Sequence, residues 1–238
     1  MLFKLYFLAL LMALVVAGLF VCWGQNAGHS RDFDSLPVGR GLSLPLHTEV
    51  ASTPPWWALI FALVADGTLF TSLVFGVLYL WISAPNWPPA ATPVTNIPLA
   101  LAGGAALFAA AAATRRSLRL QASGRSPQAW IGLAALLLLA AIAGVVVLIG
   151  NVIPHPREHA LGATAAALFG YVALHAGIGL LFLVSNFMRL AAGFISSRRL
   201  IDLRLTRLWL DYTAITGAIA IGLVLALPTL VGILEMRP

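Results

Sequence analysis

Hydrophobic and polar positions in this chain segregate into long blocks. Apolar runs cover residues 3–23, 56–81, 97–113, 129–153, 160–188 and 208–234, and the segments between them hold most of the charges and prolines. A helix rising about 1.5 Å per residue needs about 20 apolar residues to cross a hydrocarbon core of about 30 Å. The blocks therefore predict an all-α, polytopic transmembrane helix bundle of about six spans. Two regions follow: residues 1–55, with the first span and a polar loop, and residues 56–238, a five-helix membrane bundle.

The run 3–23 has Lys4 near its start and also resembles a signal peptide. It is long enough to span and has no clean A-x-A cleavage site, so a retained helix is expected. Residues 24–54 read as a polar loop. Its string GLSLPLHTEV alternates but looks too isolated to form a strand. The connector SAPNWPPAATPVTNIP cannot be helical throughout. Gly103, Gly104 and the alanines of the third span allow close helix contact. The fourth span is almost wholly aliphatic and suits packing or lipid contact.

Composition agrees with the blocks. The chain is 61% hydrophobic and 9% charged, outside the range of soluble domains of this length. A net charge of +6 invites a nucleic-acid reading, but the cations sit in short loops between spans, where they set orientation. Nucleic acid is not an expected partner. The single cysteine, Cys22, excludes an internal disulfide and a CxxC pair.

Nine of the fourteen Lys and Arg residues lie in loops 114–128 and 189–207, which places both loops in the cytoplasm. Parity then puts loop 24–54 inside and the C-terminus outside. It also puts the N-terminus outside, leaving Lys4 on the unfavoured side. Arg115, Arg116, Arg119, Arg198 and Arg199 are candidates for setting topology or contacting lipid headgroups.

The candidate chemistry is sparse. Asp66 lies ten residues past Trp56, hence about 15 Å deep. An ionised carboxylate there costs at least about 2.5–3.5 kcal/mol on insertion scales. It needs protonation, a hydrogen-bonded partner or a contact with another chain. Two readings stand: a satisfied structural carboxyl, or a proton or lipid site. His175 lies at a similar depth in the fifth span, and an acid and an imidazole are less costly together. They are expected to be hydrogen-bonded neighbours, the alternative being that His175 donates to a backbone carbonyl. Asp211, near Arg204 and Arg207, reads as an interfacial ion pair. No catalytic residue and no metal site is expected. There is no phosphate-cradling glycine loop and no Ser-His-Asp arrangement at plausible depth. Only His175 among the histidines is deep, so one chain does not supply paired haem ligands.

Three strings then carry a family resemblance. PPWWALIFALVADGTLFTSLVFGVLYLW resembles the helix with the buried carboxylate in cytochrome c oxidase subunit III, with Asp66 where the family usually has Glu. GYVALHAGIGLLFLVSNFMRL, from Gly170 to Leu190, is similar to the family's Gly-Phe-His-Gly-Leu-His-Val helix. Tyr171 falls on the Phe, Val172 on the first His and His175 on the second. Arg207-Leu208-Trp209-Leu210-Asp211 corresponds to the family's Trp-His-Phe-Val-Asp, with Asp211 on the Asp. The likeness covers about residues 50–234, with one helix in place of the usual first two.

The resemblance implies a non-redox accessory subunit of a haem-copper terminal oxidase in a bacterial plasma membrane. It would pack beside subunits I and II, hold phospholipids and support proton uptake. Haem and copper would belong to those partners, with no cofactor in this chain. The alternatives from the residues alone are a small proton-coupled transporter using Asp66 and His175, and a membrane anchor for a haem or quinone enzyme.

Overall fold

The computed structural model describes residues 35–39, 41–45, 54–83, 96–151, 159–197 and 199–235. The first candidate span, 3–23, lies outside these residues, as do Arg198 and the proline-rich connector over 84–95. Five helices among the described residues are long and apolar enough to cross a membrane. They are α1 (Pro54–Ser83), α2 (Ile97–Ala122), α3 (Gln128–Asn151), α4 (Ala160–Ala191) and α5 (Ile201–Glu235). The chain is thus a multi-pass membrane protein by length and composition of its helices.

The polar 24–54 segment is not all loop. Strands β1 (Ser35–Gly39) and β2 (Leu42–Pro45) pair antiparallel, with Leu36 opposite Leu44 and Gly39 opposite Leu42. The alternating string looked isolated because its partner lies immediately upstream. Gly39 and Gly41 take φ of +88° and +76°, a left-handed backbone that supports so tight a reversal.

Two helices begin or end further into the charged segments than the apolar runs do. α2 runs on to Ala122 and carries Arg115, Arg116 and Arg119, expected in a loop. α5 begins at Ile201, placing Arg204 and Arg207 on the helix. Hydropathy marks where apolar character ends, whereas helices stop at capping signals. Arginine is a good helix former, and nothing between residues 113 and 122 breaks the ladder. The α2 start is capped by Asn96, whose Oδ1 accepts from Leu99 N at 3.2 Å, with Pro98 in the first turn. At the start of α4, His159 Nδ1 accepts from Leu161 N at 3.1 Å.

α2 packs on α3 and α5, and α1 packs on α5. Close approach depends on missing side chains at two points. A Cβ at Gly217 would lie 2.5 Å from Leu107 Cδ1, and one at Gly179 would lie 2.5 Å from Leu210 Cδ2. The core is aliphatic with few aromatics: Leu107, Leu138, Leu168, Phe169, Leu203 and Leu210 are nearly inaccessible. α1 differs from the rest. Over thirty residues its buried side chains are Leu63, Phe70 and Val77, a stripe one residue wide repeating every seven. In lipid such a seam gains mainly dispersion contacts, because leaving the bundle would expose it to equally apolar chains. Polar contacts therefore weigh more in holding α1 than they would in a soluble protein.

Candidate functional site

Asp66 sits near the middle of α1, and His175 near the middle of α4. The two are bonded, with His175 Nε2 2.9 Å from Asp66 Oδ2. Two tyrosines join them at the same oxygen. Tyr171 OH donates to Asp66 Oδ2, and Tyr212 OH donates to it at 2.6 Å. The two hydroxyls are themselves 2.8 Å apart. One carboxylate oxygen on α1 therefore gathers polar groups from both α4 and α5.

Helical spacing explains why these groups converge. Tyr171 and His175 are four apart on α4, so they share a face. Trp209 and Tyr212 are three apart on α5 and share another. Trp209 holds the imidazole from behind. Its ring lies parallel to that of His175 with centroids 5.1 Å apart, and its Nε1 donates to the His175 carbonyl at 2.9 Å. Phe70, one turn past Asp66, packs on Tyr171 at 5.0 Å. His175, Tyr171 and Trp209 are buried, while the Asp66 side chain keeps 21% exposure.

The hydrogen bonds constrain the protons. His175 Nδ1 lies 2.9 Å from the Tyr171 backbone carbonyl, which can only accept, so Nδ1 carries a hydrogen. Nε2 then faces Asp66 in one of two ways. Either it is bare and accepts from a protonated carboxyl, or it is protonated and donates to a carboxylate. Both arrangements place one proton between the two residues and leave the pair with no net charge. A carboxylate facing a bare Nε2 would oppose two lone pairs. Neutrality of the pair is what makes mid-span burial tolerable, since a lone ion would cost several kcal/mol (about 3 on insertion scales). Chemically, the site can hold one proton between an acid and a base, with two hydroxyls able to donate or accept beside it.

Of the predicted site residues, the structure brings together Asp66 and His175. The alternative contact, from His175 to a backbone carbonyl, is present as well, through the other ring nitrogen. Sequence reasoning did not place Tyr212 or Trp209 in this site. The available signal was the spacing of Trp209 and Tyr212, which puts two rings with polar tips on one face of α5.

The interfacial pair is rearranged. Asp211 Oδ1 accepts from Arg115 Nε at 2.9 Å and lies 2.9 Å from Arg115 Nη2, while Oδ2 lies 3.4 Å from Arg207 Nε. Arg115, assigned to lipid or topology, is thus the main partner, and among the described residues the ion pairs of Asp211 are with Arg115 and Arg207, where Arg204 and Arg207 were expected. The reason is that α2 remains helical long enough to bring Arg115 to α5. A second pair joins Arg189 Nη2 to Asp202 Oδ2 at 3.2 Å. Arg116 lies over the Trp130 ring at 6.0 Å, Arg119 is exposed, and the Arg199 amide donates to Ser196. Among the described residues no group of three or more His, Cys, Asp or Glu side chains is placed to hold a metal ion.

No family model matches this sequence, and no curated protein matches it.

Proposed function

We propose that this chain is an accessory, non-redox subunit of a haem-copper terminal oxidase, of the subunit III kind. It packs on subunit I beside subunit II in a bacterial inner membrane, with its C-terminus in the periplasm. Haem and copper reside in those partners, and oxygen reduction takes place there. This chain binds phospholipid and supports proton uptake, and it contributes no active site of its own.

The observation that carries the reading is the bonded pair Asp66–His175. These positions correspond to the buried carboxylate and second histidine of the motifs the sequence resembles. They lie on separate helices, and the order and spacing of the strings matter only if those helices meet. Tyr171, on the motif's aromatic position, donates to the same carboxylate oxygen. A one-proton pair with two adjacent hydroxyls suits a subunit that receives or buffers protons at membrane depth.

Purification of the full chain from its native membrane tests the proposal. The chain is expected to come out with haem-containing partners and to show no Soret band when isolated. Isolation without any haem-bearing chain rejects the assignment, as does a Soret band from this chain that disappears in His175→Ala.

The second reading, a small independent proton-coupled transporter, draws on the bonded Asp66–His175 pair, an acid and a base that hold one proton between two helices. Proton uptake by liposomes holding this chain alone, abolished by Asp66→Asn, favours that reading over the first.

A further inference from the structure

At the end of the bundle that carries the arginines, a cavity of about 360 Å³ opens between the α2–α3 turn and residues 195–197. This volume falls in the range of small-ligand sites, about 300–1,000 Å³. It lies away from Asp66 and shares no residue with that site.

Its walls offer donors and no carboxylate. Arg125, Ser126, Gln128 and Ser197 line it, together with Gln121 and Gly124. No hydrogen bond or ion pair occupies the Arg125 guanidinium among the described residues, so its five N–H groups are free for a ligand. The wall is braced: Gln121 Nε2 donates to the Ile195 carbonyl at 3.1 Å, tying the turn to residues 195–197.

Arg125 is held at the rim by the way α2 ends. Gly124 takes φ +73°, its amide donates to the Gln121 carbonyl at 3.0 Å, and the Arg125 amide donates to the Leu120 carbonyl at 2.9 Å. This is a Schellman closure, which needs a left-handed residue after the cap. The first amides of α3 begin at the same rim and also favour negative charge.

The depth of the cavity indicates what enters it. Trp130, two residues beyond Gln128, is 38% exposed and has Arg116 over its ring. A half-exposed tryptophan beside an arginine suits the headgroup layer. Leu133 and Leu136 continue the exposed face of α3 toward the membrane centre, a surface for acyl chains.

We infer that this cavity binds the phosphate of an anionic phospholipid headgroup, with Arg125 as its principal cation. A free phosphate ion has the same chemistry and is the other source the test separates.

The full chain is purified in detergent, stripped of lipid and examined by native mass spectrometry. Phosphatidylglycerol, phosphatidylcholine and inorganic phosphate serve as probes. One phosphatidylglycerol per chain is expected to be retained about fivefold more strongly than phosphatidylcholine, because both phosphates can reach Arg125 but the choline cation offsets the attraction. Arg125→Ala removes the preference, and Arg125→Lys keeps part of it, since lysine supplies charge without the fork. Arg207→Ala, which pairs with Asp211 and does not line the cavity, retains it. Displacement of the lipid by millimolar phosphate, with the same dependence on Arg125, supports the phosphate site and makes the soluble ion its occupant. Equal phosphatidylglycerol retention by wild type and Arg125→Ala, with unchanged thermal stability, overturns the inference.

Discussion

Tyr212 donates its hydroxyl to Asp66 at 2.6 Å across 146 positions of sequence. The residue before it, Asp211, takes the guanidinium of Arg115 from α2. Two consecutive residues of α5 thus fasten it to two different helices, through a shared proton network on one side and an ion pair on the other. Both residues lie within the first four turns of α5, which begins at Ile201.

Removing the Asp66 carboxyl leaves Tyr171, Tyr212 and His175 without their common hydrogen-bond partner. Asp66→Ala is expected to lower the unfolding free energy in detergent by about 2–3 kcal/mol, the cost of stranding part-buried polar groups. Asp66→Asn can keep an amide oxygen for the tyrosines at that position, but this oxygen carries no proton to share with Nε2, so its cost is smaller than that of Asp66→Ala, about 1–2 kcal/mol. Thermal melts of the two variants decide this. Equal loss in both means that the hydrogen bonds contribute little to holding α1.

The tautomer assignment has a direct readout. Nitrogen NMR of labelled His175 is expected to show a protonated Nδ1. A bare Nδ1 in the wild type contradicts the shared-proton scheme.

Coupling between α1 and α5 can be isolated at Tyr212. Tyr212→Phe is expected to cost about 1 kcal/mol, and in an Asp66→Ala background much less, giving a coupling energy of about 0.5–1.5 kcal/mol in a double-mutant cycle. Additive losses mean that the hydroxyl and the carboxyl are energetically independent.

The Asp211 ion pairs are wet on the arginine side, with Arg115 and Arg207 side chains 51% and 48% exposed. Arg115→Ala and Arg207→Ala are each expected to cost less than about 1 kcal/mol, and less still in high salt. A salt-independent loss above that size would show that the pair behaves as a buried one.

Packing at Gly217 should be unforgiving, because Leu107 already occupies the space of its missing side chain. Gly217→Val is expected to destabilise by about 1–3 kcal/mol. Gly67, beside Asp66 on α1, has open space around it. There, Gly67→Ala should be neutral or stabilising by up to about 1 kcal/mol. Chemical denaturation of both variants makes the comparison, and a harmless Gly217→Val would mean that α2 and α5 can separate locally.

The linear order of residues was enough to determine that this chain crosses a membrane repeatedly, where five of its helices lie and that Asp66 and His175 each fall near the middle of one. Oil admits only long apolar helices with satisfied backbones, and depth can be counted along a helix from its ends. Tertiary structure alone decided the rest. It placed Tyr171 and Tyr212 on the same carboxylate oxygen, gave Asp211 to Arg115 and paired the β1–β2 ribbon. Helical periodicity tells which residues share a face but not which neighbour that face meets. Helix termini, set by caps and not by hydropathy, then decided which arginines reached an acid.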